Sequence, residues 1–409
     1  MEQEPMNKTK IAIIGGGPAG VMCALKAAEN PNNEIYIFDK GIILNTLLPT
    51  GGGRCNLAYS EFDFKELAKF YPRGEKFLYS VFSKFSTSDT LEFFTKIGVD
   101  TYTQNDNRIF PVSDSSKEVK NALIKKMEQF EQKNIKKYFE QVIDIKKTAE
   151  GYHLKTNKKT HKFNKIVIST GGRGNGQKLA KNLGHNITPM KPALCSLITQ
   201  EKEFASVSGI SLKNISAEVF FEKEKIKTLY GDFLFTHKGI SGPLVYKISS
   251  YCAFINFSKQ KPLKIILNIV NKSYEQFDEE FLTLLKTASQ KESVNILSEF
   301  LPKNLAHCIF EKLKINTKTK AGQLTKKERE EISKTVTQFC FNAIDTVSGE
   351  EVVTAGGIDL KEVNSKTMES KLLEGLYFCG EVLDIDGLTG GFNLQNCWST
   401  GYIAGSSLL

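Results

Sequence analysis

The sequence predicts an α/β protein: a nucleotide-binding domain with a parallel sheet, assembled from both ends of the chain around an inserted β-rich and helical domain. Three observations carry that expectation. An apolar run at residues 10–14 ends in a glycine cluster and opens into a helix-forming stretch. The same grammar of strand, Gly-Gly loop and helix returns at residues 376–408. Between them the periodicity changes, first to short strand-like runs and then to a lysine-rich helical pattern.

The first element is Gly15-Gly-Gly-Pro-Ala-Gly20. Gly15 permits a tight turn, Gly17 lets the backbone approach a pyrophosphate, and Gly20 lets helix and strand pack closely. The phosphates then sit on the helix N-terminus. Glu34–Asp39 reads as a second strand ending in a carboxylate, about 20 residues beyond the glycines, where a ribose hydroxyl needs it. A glycine cluster that merely ends a helix would follow a helical pattern, and none precedes it. At this point NAD and FAD are equally open.

Next comes the loop Leu48-Pro-Thr-Gly-Gly-Gly-Arg-Cys-Asn56, glycine-rich and dense in polar donors, which makes it a second candidate site. Ser115 and Glu118 read as a capping box, followed by a core-facing helical stripe of Val119, Leu123, Ile124, Met127 and Phe130. Short runs at 139–145 and 152–156 suggest a small meander, which returns to the parallel sheet through the buried strand Lys165–Ser169 and its glycine turn. Strand-like pieces at 217–222, 232–236 and 262–270, then a helical region at about 275–342, describe the insertion. Domain boundaries are expected at 190/191 and 350/351, with the insertion serving as a barrel-like and helical substrate or cap domain. The chain closes with Leu376–Glu381, a Gly-Gly loop and a helix over 394–408, a second anion-friendly helix start.

Composition sets the bounds. With 409 residues, 40% of them apolar and 25% charged, the chain is long enough for two or three domains and is ordinary for a soluble protein. No stretch matches a membrane span or a signal peptide, so no membrane partner and a cytoplasmic location are expected. Eight cysteines without a C-x-x-C pair, and five histidines without ligand spacing, point away from metal chemistry. The net charge of +9 is uneven: residues 1–60 balance, 61–350 carry +14 and 351–409 carry −5. The basic middle is the candidate face for an anionic partner, although runs such as Lys326–Glu331 read as solvated helix surface.

Taken together, Ile14–Gly20, Gly51–Asn56, Arg108–Pro111, Phe235–Pro243, Val353–Gly357 and Gly380–Gln395 resemble the BaiN/YhiN-type flavoprotein family, of the two-dinucleotide-binding-domain type. The resemblance implies a Rossmann-like FAD-binding domain. Gly15, Gly17 and Gly20 would then serve the pyrophosphate, Asp39 the adenosine ribose, and Gly380 with Glu381 the ribityl or phosphate region. Gly391, Asn393 and Leu394 would lie at the flavin ring with Arg54 as a fixed positive charge, and Ala19, Lys40, Gly52, Cys55, Asn56, Thr170, Gly171 and Asp386 complete the expected contacts. Two segments depart from the family pattern, the short turn Arg173–Gln177 and the stretch between Asp39 and Gly51. A second G-x-G-x-x-G after a strand is missing, so NAD(P)H is expected as a transient reductant without a domain of its own.

What the resemblance implies is reduction of an electron-poor C=C bond, either in a small-molecule enone or in ribosomal RNA, where uridine becomes dihydrouridine. Cys55, in the glycine loop, and His237, in a glycine-flanked turn, are the candidate proton donors. FAD- and folate-dependent RNA methylation, amine oxidation and a flavin-bearing binding module are the alternatives.

Overall fold

A computed structural model describes residues 8–131, 134–347, 349 and 353–409. The chain forms two units, Met1–Lys191 with Val353–Leu409, and Pro192–Val352. The first unit therefore takes both ends of the polypeptide.

The first unit is built on five parallel strands in the order 376–378, 165–168, β1 (Thr9–Ile14), β2 (Asn33–Asp39) and 135–139. Ile11 to Ile14 are almost wholly buried. A strand covered on both faces reads as an apolar run rather than an alternation, which is why β1 is legible as such. The chain leaves β1 through helix α1 (Pro18–Ala27) toward β2 on one side, while the later strands 165–168 and 376–378 are added on the other. The carboxyl end of β1 is thus a topological switch point, where this class of sheet opens a crevice for a ligand.

The apolar run at 139–145 divides differently from expectation. Residues 135–139 pair with β2 in the main sheet, and 142–148 start a separate antiparallel sheet with 151–156 and 160–163. The break falls at Glu140 and Gln141, and a register shift follows between Val142 and Asp144. The helix Ser116–Glu131 buries Val119, Leu123 and Met127 while Ile124 stays half-buried. Glu118, read as half of a capping box, accepts instead from the Ser113 hydroxyl.

The closing helix, Phe392–Ser406, lies against α1 at glycines. A Cβ on Gly401 would stand 2.4 Å from Ala19 O, and one on Gly405 would stand 2.6 Å from Cys23 O. Only hydrogen at these two positions allows the backbones to approach so closely.

The second unit is a closed six-stranded barrel in the order 197–199, 239–241, 224–236, 211–221, 263–268, 339–346. Phe204, Phe233, Phe235, Phe339 and Phe341 meet in its core, with ring centroids 4.8–6.1 Å apart. Helices Pro243–Tyr251, Tyr274–Thr287, Ser293–Leu297, Lys303–Lys312 and Lys326–Thr337 belong to the same unit. The helical reading of 275–342 therefore overruns: Phe339, Phe341 and Ala343 alternate into the barrel as its sixth strand. No helix among the described residues is long and apolar enough to cross a membrane.

Candidate functional site

The glycine turn after β1 separates internal from external demands. Gly15 has φ +106°, and a Cβ there would lie 2.5 Å from Ser169 O; a Cβ on Gly20 would lie 2.0 Å from Gly15 O. Both glycines are needed by the fold itself. Gly17, the N-cap of α1, is different, because the nearest atom to its added Cβ is Thr46 Oγ1 at 3.7 Å. The space above it is open, as it must be if a pyrophosphate is to lie on the helix start. The Asp39 carboxylate accepts from Gly16 N at 2.7 Å and Gly41 N at 2.8 Å, so it holds the turn.

Gly15, Asp39, Lys40 and Thr170 line one pocket, which also includes Glu140, Val142 and Arg173. Those last three were not singled out from sequence. Arg173 carried a signal, a cation inside the glycine-rich turn after a buried strand, whereas Glu140 and Val142 carried none. Thr170 supports the pocket wall by accepting from Gly176 N at 3.0 Å, and Gly171 adopts φ +72°.

The second loop turns through left-handed conformations at Gly51, Gly52, Gly53 and Cys55. A Cβ on Gly52 or Gly53 would meet nothing within 4 Å, so this edge of the loop is also open. Arg54 stacks on Phe110, 4.1 Å from the ring centroid, and its Nη1 lies 3.8 Å from the Asp114 carboxylate. Asn56, with its amide oriented to satisfy both groups, accepts from Gly391 N at 3.0 Å and donates to Ala58 O at 3.3 Å. It ties the glycine loop to the start of the closing helix.

There, Gly391 has φ +97° and a Cβ would lie 2.6 Å from Ala58 O. Asn393 is bonded twice to Gly387, donating to its carbonyl and accepting from its N–H, both at 2.9 Å. Leu394 is buried, and Trp398 donates to Leu57 O at 3.1 Å. Asn396 is fully buried with neither amide atom hydrogen-bonded, an unmet demand one turn into the helix that the flavin is expected to approach.

Gly380, at φ +76°, donates to Thr400 Oγ1 at 2.9 Å, and a Cβ there would lie 2.7 Å from that of Ala19. Beside it Glu381 keeps some accessible surface, yet its carboxyl is pushed up to about 7. Burial among protein atoms is the main cause and the charge of Asp386 adds to it; Arg173 and the Gly172 N–H oppose it. Asp386 itself is not turned to a ligand: it is fully buried, and both its oxygens accept from Arg73. Its placement among cofactor contacts is corrected by that pairing.

The two candidate proton donors fare differently. Cys55 has no exposed surface, its N–H bonds Thr50 O at 2.9 Å, and burial pushes its thiol up to about 12. A thiol so enclosed is protonated at neutral pH and packed into the loop. His237 is exposed in the turn between strands 224–236 and 239–241 of the second unit.

The open faces of Gly17, Gly52 and Gly53, the pocket beside Asp39 and the unpartnered Asn396 fit FAD, with the residues of the two glycine segments and the closing helix to hold it. Comparison with known proteins agrees. The family model described as HI0933-like protein Rossmann domain matches residues 9–407. The chain is 29% identical to the 3-dehydro-bile acid delta(4,6)-reductase of Clostridium scindens, over 97% of this chain and 98% of that one. It is 26% identical to the ribosomal RNA dihydrouridine synthase of Escherichia coli, over 99% of each. Among solved structures, quinol fumarate reductase FrdA of Escherichia coli shares the fold at 14% identity with TM-score 0.50, over 98% of this chain and 70% of that one. The chain belongs to the HI0933-like family, and with it to the FAD-dependent oxidoreductases of Rossmann type.

Proposed function

We propose that this protein reduces a C=C bond conjugated to a carbonyl group, that its substrate is uridine in ribosomal RNA, and that NADH or NADPH supplies the electrons. The observation that carries the reaction class is chemical. Two relatives of matching length are named for unrelated substrates, a 3-keto steroid and a uracil base, yet both names describe saturation of a double bond in conjugation with a carbonyl. The substrate gains a hydride on one carbon and a proton on the other, while the nicotinamide is oxidised.

FAD, when bound, supplies hydride transfer chemistry. The residues of this chain do the rest. The α1 start at Gly17 and the turn held by Asp39 bind the pyrophosphate. The start of the closing helix is fixed by Asn56 and Asn393, so its positive end is pre-oriented rather than recruited.

RNA is favoured over a small enone by the placement of charge. Of the +14 carried by residues 61–350, the segment 61–191 of the first unit holds +10, from 25 basic and 15 acidic residues. The insertion contributes only the remaining +4 over residues 192–350. The test is to compare dihydrouridine in ribosomal RNA from cells with and without this protein by mass spectrometry. Loss of a modified position supports the proposal. Unchanged RNA, alongside reduction of a steroid dienone by the purified protein, would transfer the reading to small-molecule enones.

A further inference from the structure

Residues 142–163, which form the antiparallel sheet of strands 142–148, 151–156 and 160–163, carry six lysines against Asp144 and Glu150. Its register places Lys146 opposite His153 and His153 opposite Lys162, one row across three strands. Neighbouring strands lie about 4.8 Å apart, so that row spans roughly 10 Å. In the adjoining row Asp144 stands opposite Lys155, and Lys155 opposite Thr160. The other face is spent on the core, with Ile145, Tyr152, Leu154 and Phe163 buried. Lys146, Lys155 and Lys162 are exposed, as are Lys158 and Lys159 in the hairpin turn.

The ordinary reading of surface lysines is a solvated face neutralised by nearby glutamates. Elsewhere in this chain that holds: Lys69 pairs with Glu66, Lys96 with Glu92, Lys261 with Glu222 and Lys312 with Glu203. Among the described residues Lys146, Lys155 and Lys162 enter no ion pair, whereas Lys158 in the turn faces Glu140 at 3.9 Å. Two exposed apolar side chains flank them in sequence, Phe139 at 60% and Ile143 at 49% exposure. An open sheet face carrying unpaired cations fits a partner that presents repeated phosphates. A membrane surface asks instead for an amphipathic helix with a broad apolar face, which this sheet lacks.

We propose that the outer face of this sheet, centred on Lys146, Lys155 and Lys162, docks the phosphate backbone of the RNA substrate. The inference rests on the RNA reading above and assigns that reading a surface. Each lysine that neutralises a phosphate releases counterions, so removing three should reduce the dependence of log affinity on log salt by about 2.

The test uses FAD-loaded full-length protein and a fluorescein-labelled, transcribed ribosomal RNA hairpin, with anisotropy followed from about 50 to 200 mM salt. The K146Q/K155Q/K162Q variant is expected to bind at least about tenfold more weakly at the low-salt end, with the shallower slope. Its FAD content and its NAD(P)H-dependent reduction of a free enone should match those of the parent. K155E alone should show the same direction of change if the triple variant is poorly soluble. Equal RNA binding by parent and variant would overturn the docking face while leaving the RNA reading intact. A parent protein that ignores RNA yet reduces the enone would overturn both. Binding to phosphatidylserine vesicles that is lost in the variant, without RNA binding, would reassign the face to membranes.

Discussion

Arg73 holds Asp386 through both carboxylate oxygens across 313 positions of sequence, with the aspartate fully buried and the arginine side chain 16% exposed. Removing one member of a buried pair leaves the other charge desolvated, which costs about 3–5 kcal/mol. Asp386→Ala should therefore lower the stability of the FAD-free protein by that order in urea titrations. Replacing both partners by apolar residues should recover much of the loss. A cost under about 1 kcal/mol for Asp386→Ala would mean that the pair is an exposed one in solution.

Glu381 gives the protein a pH dependence of defined sign. Its carboxyl titrates at 4.5 ordinarily and at about 7 in the fold, so between those values the folded state holds a proton that the unfolded state has lost. Stability in the absence of FAD should thus be full below about pH 4.5, fall as pH rises toward 7 and level off above, by up to about 3 kcal/mol. Glu381→Gln should abolish this fall, and Asp386→Asn should shrink it, because the Asp386 charge helps raise the Glu381 carboxyl. Urea midpoints at pH 5 and pH 8 measure it, and a parent protein with equal midpoints would count against the raised carboxyl.

Gly17 and Gly20 should separate ligand binding from folding. Gly17→Ala meets no chain atom closely and should change FAD-free stability by less than about 0.5 kcal/mol, yet lower FAD affinity at least tenfold. Gly20→Ala places a methyl group onto Gly15 O and should reduce folded yield itself. Thermal melts with and without added FAD distinguish the two, and normal flavin content in Gly17→Ala would refute the pyrophosphate position.

Cys55 should behave as a structural residue. With its thiol at about 12, it should resist alkylation in the folded protein at pH 8. Cys55→Ala should leave turnover unchanged while costing about 1–2 kcal/mol of stability. Loss of turnover with stability intact would restore it as an acid.

The parts of this protein legible in its sequence are those specified locally. The glycine turn, β2 with Asp39 and the closing helix each depend on residues within a turn or two of one another, so spacing alone exposes them. The fate of Asp386 did not, because Arg73 reaches it only through the folded loop. The burial of Cys55 follows from the left-handed path of the Gly51–Cys55 loop, which composition flags as irregular without giving its course. The barrel strand Phe339–Thr346 was masked because it begins two residues after a helix, so a window spanning both is dominated by the helix. Charge was legible only coarsely: a block drawn at residues 61–350 crosses the boundary between units, and most of its excess belongs to the first.

The contact of α1 with Gly401 and Gly405 also orders events in time. The turn at Gly15–Gly20 is synthesised well ahead of the strand Leu376–Phe378 and the helix Phe392–Ser406 that complete its surroundings. At about 5–20 residues per second, the nascent turn waits roughly 20–80 s for its counterpart. A chain interrupted within the barrel lacks Gly401 and Gly405, so its pyrophosphate turn is left without the helix that packs against α1.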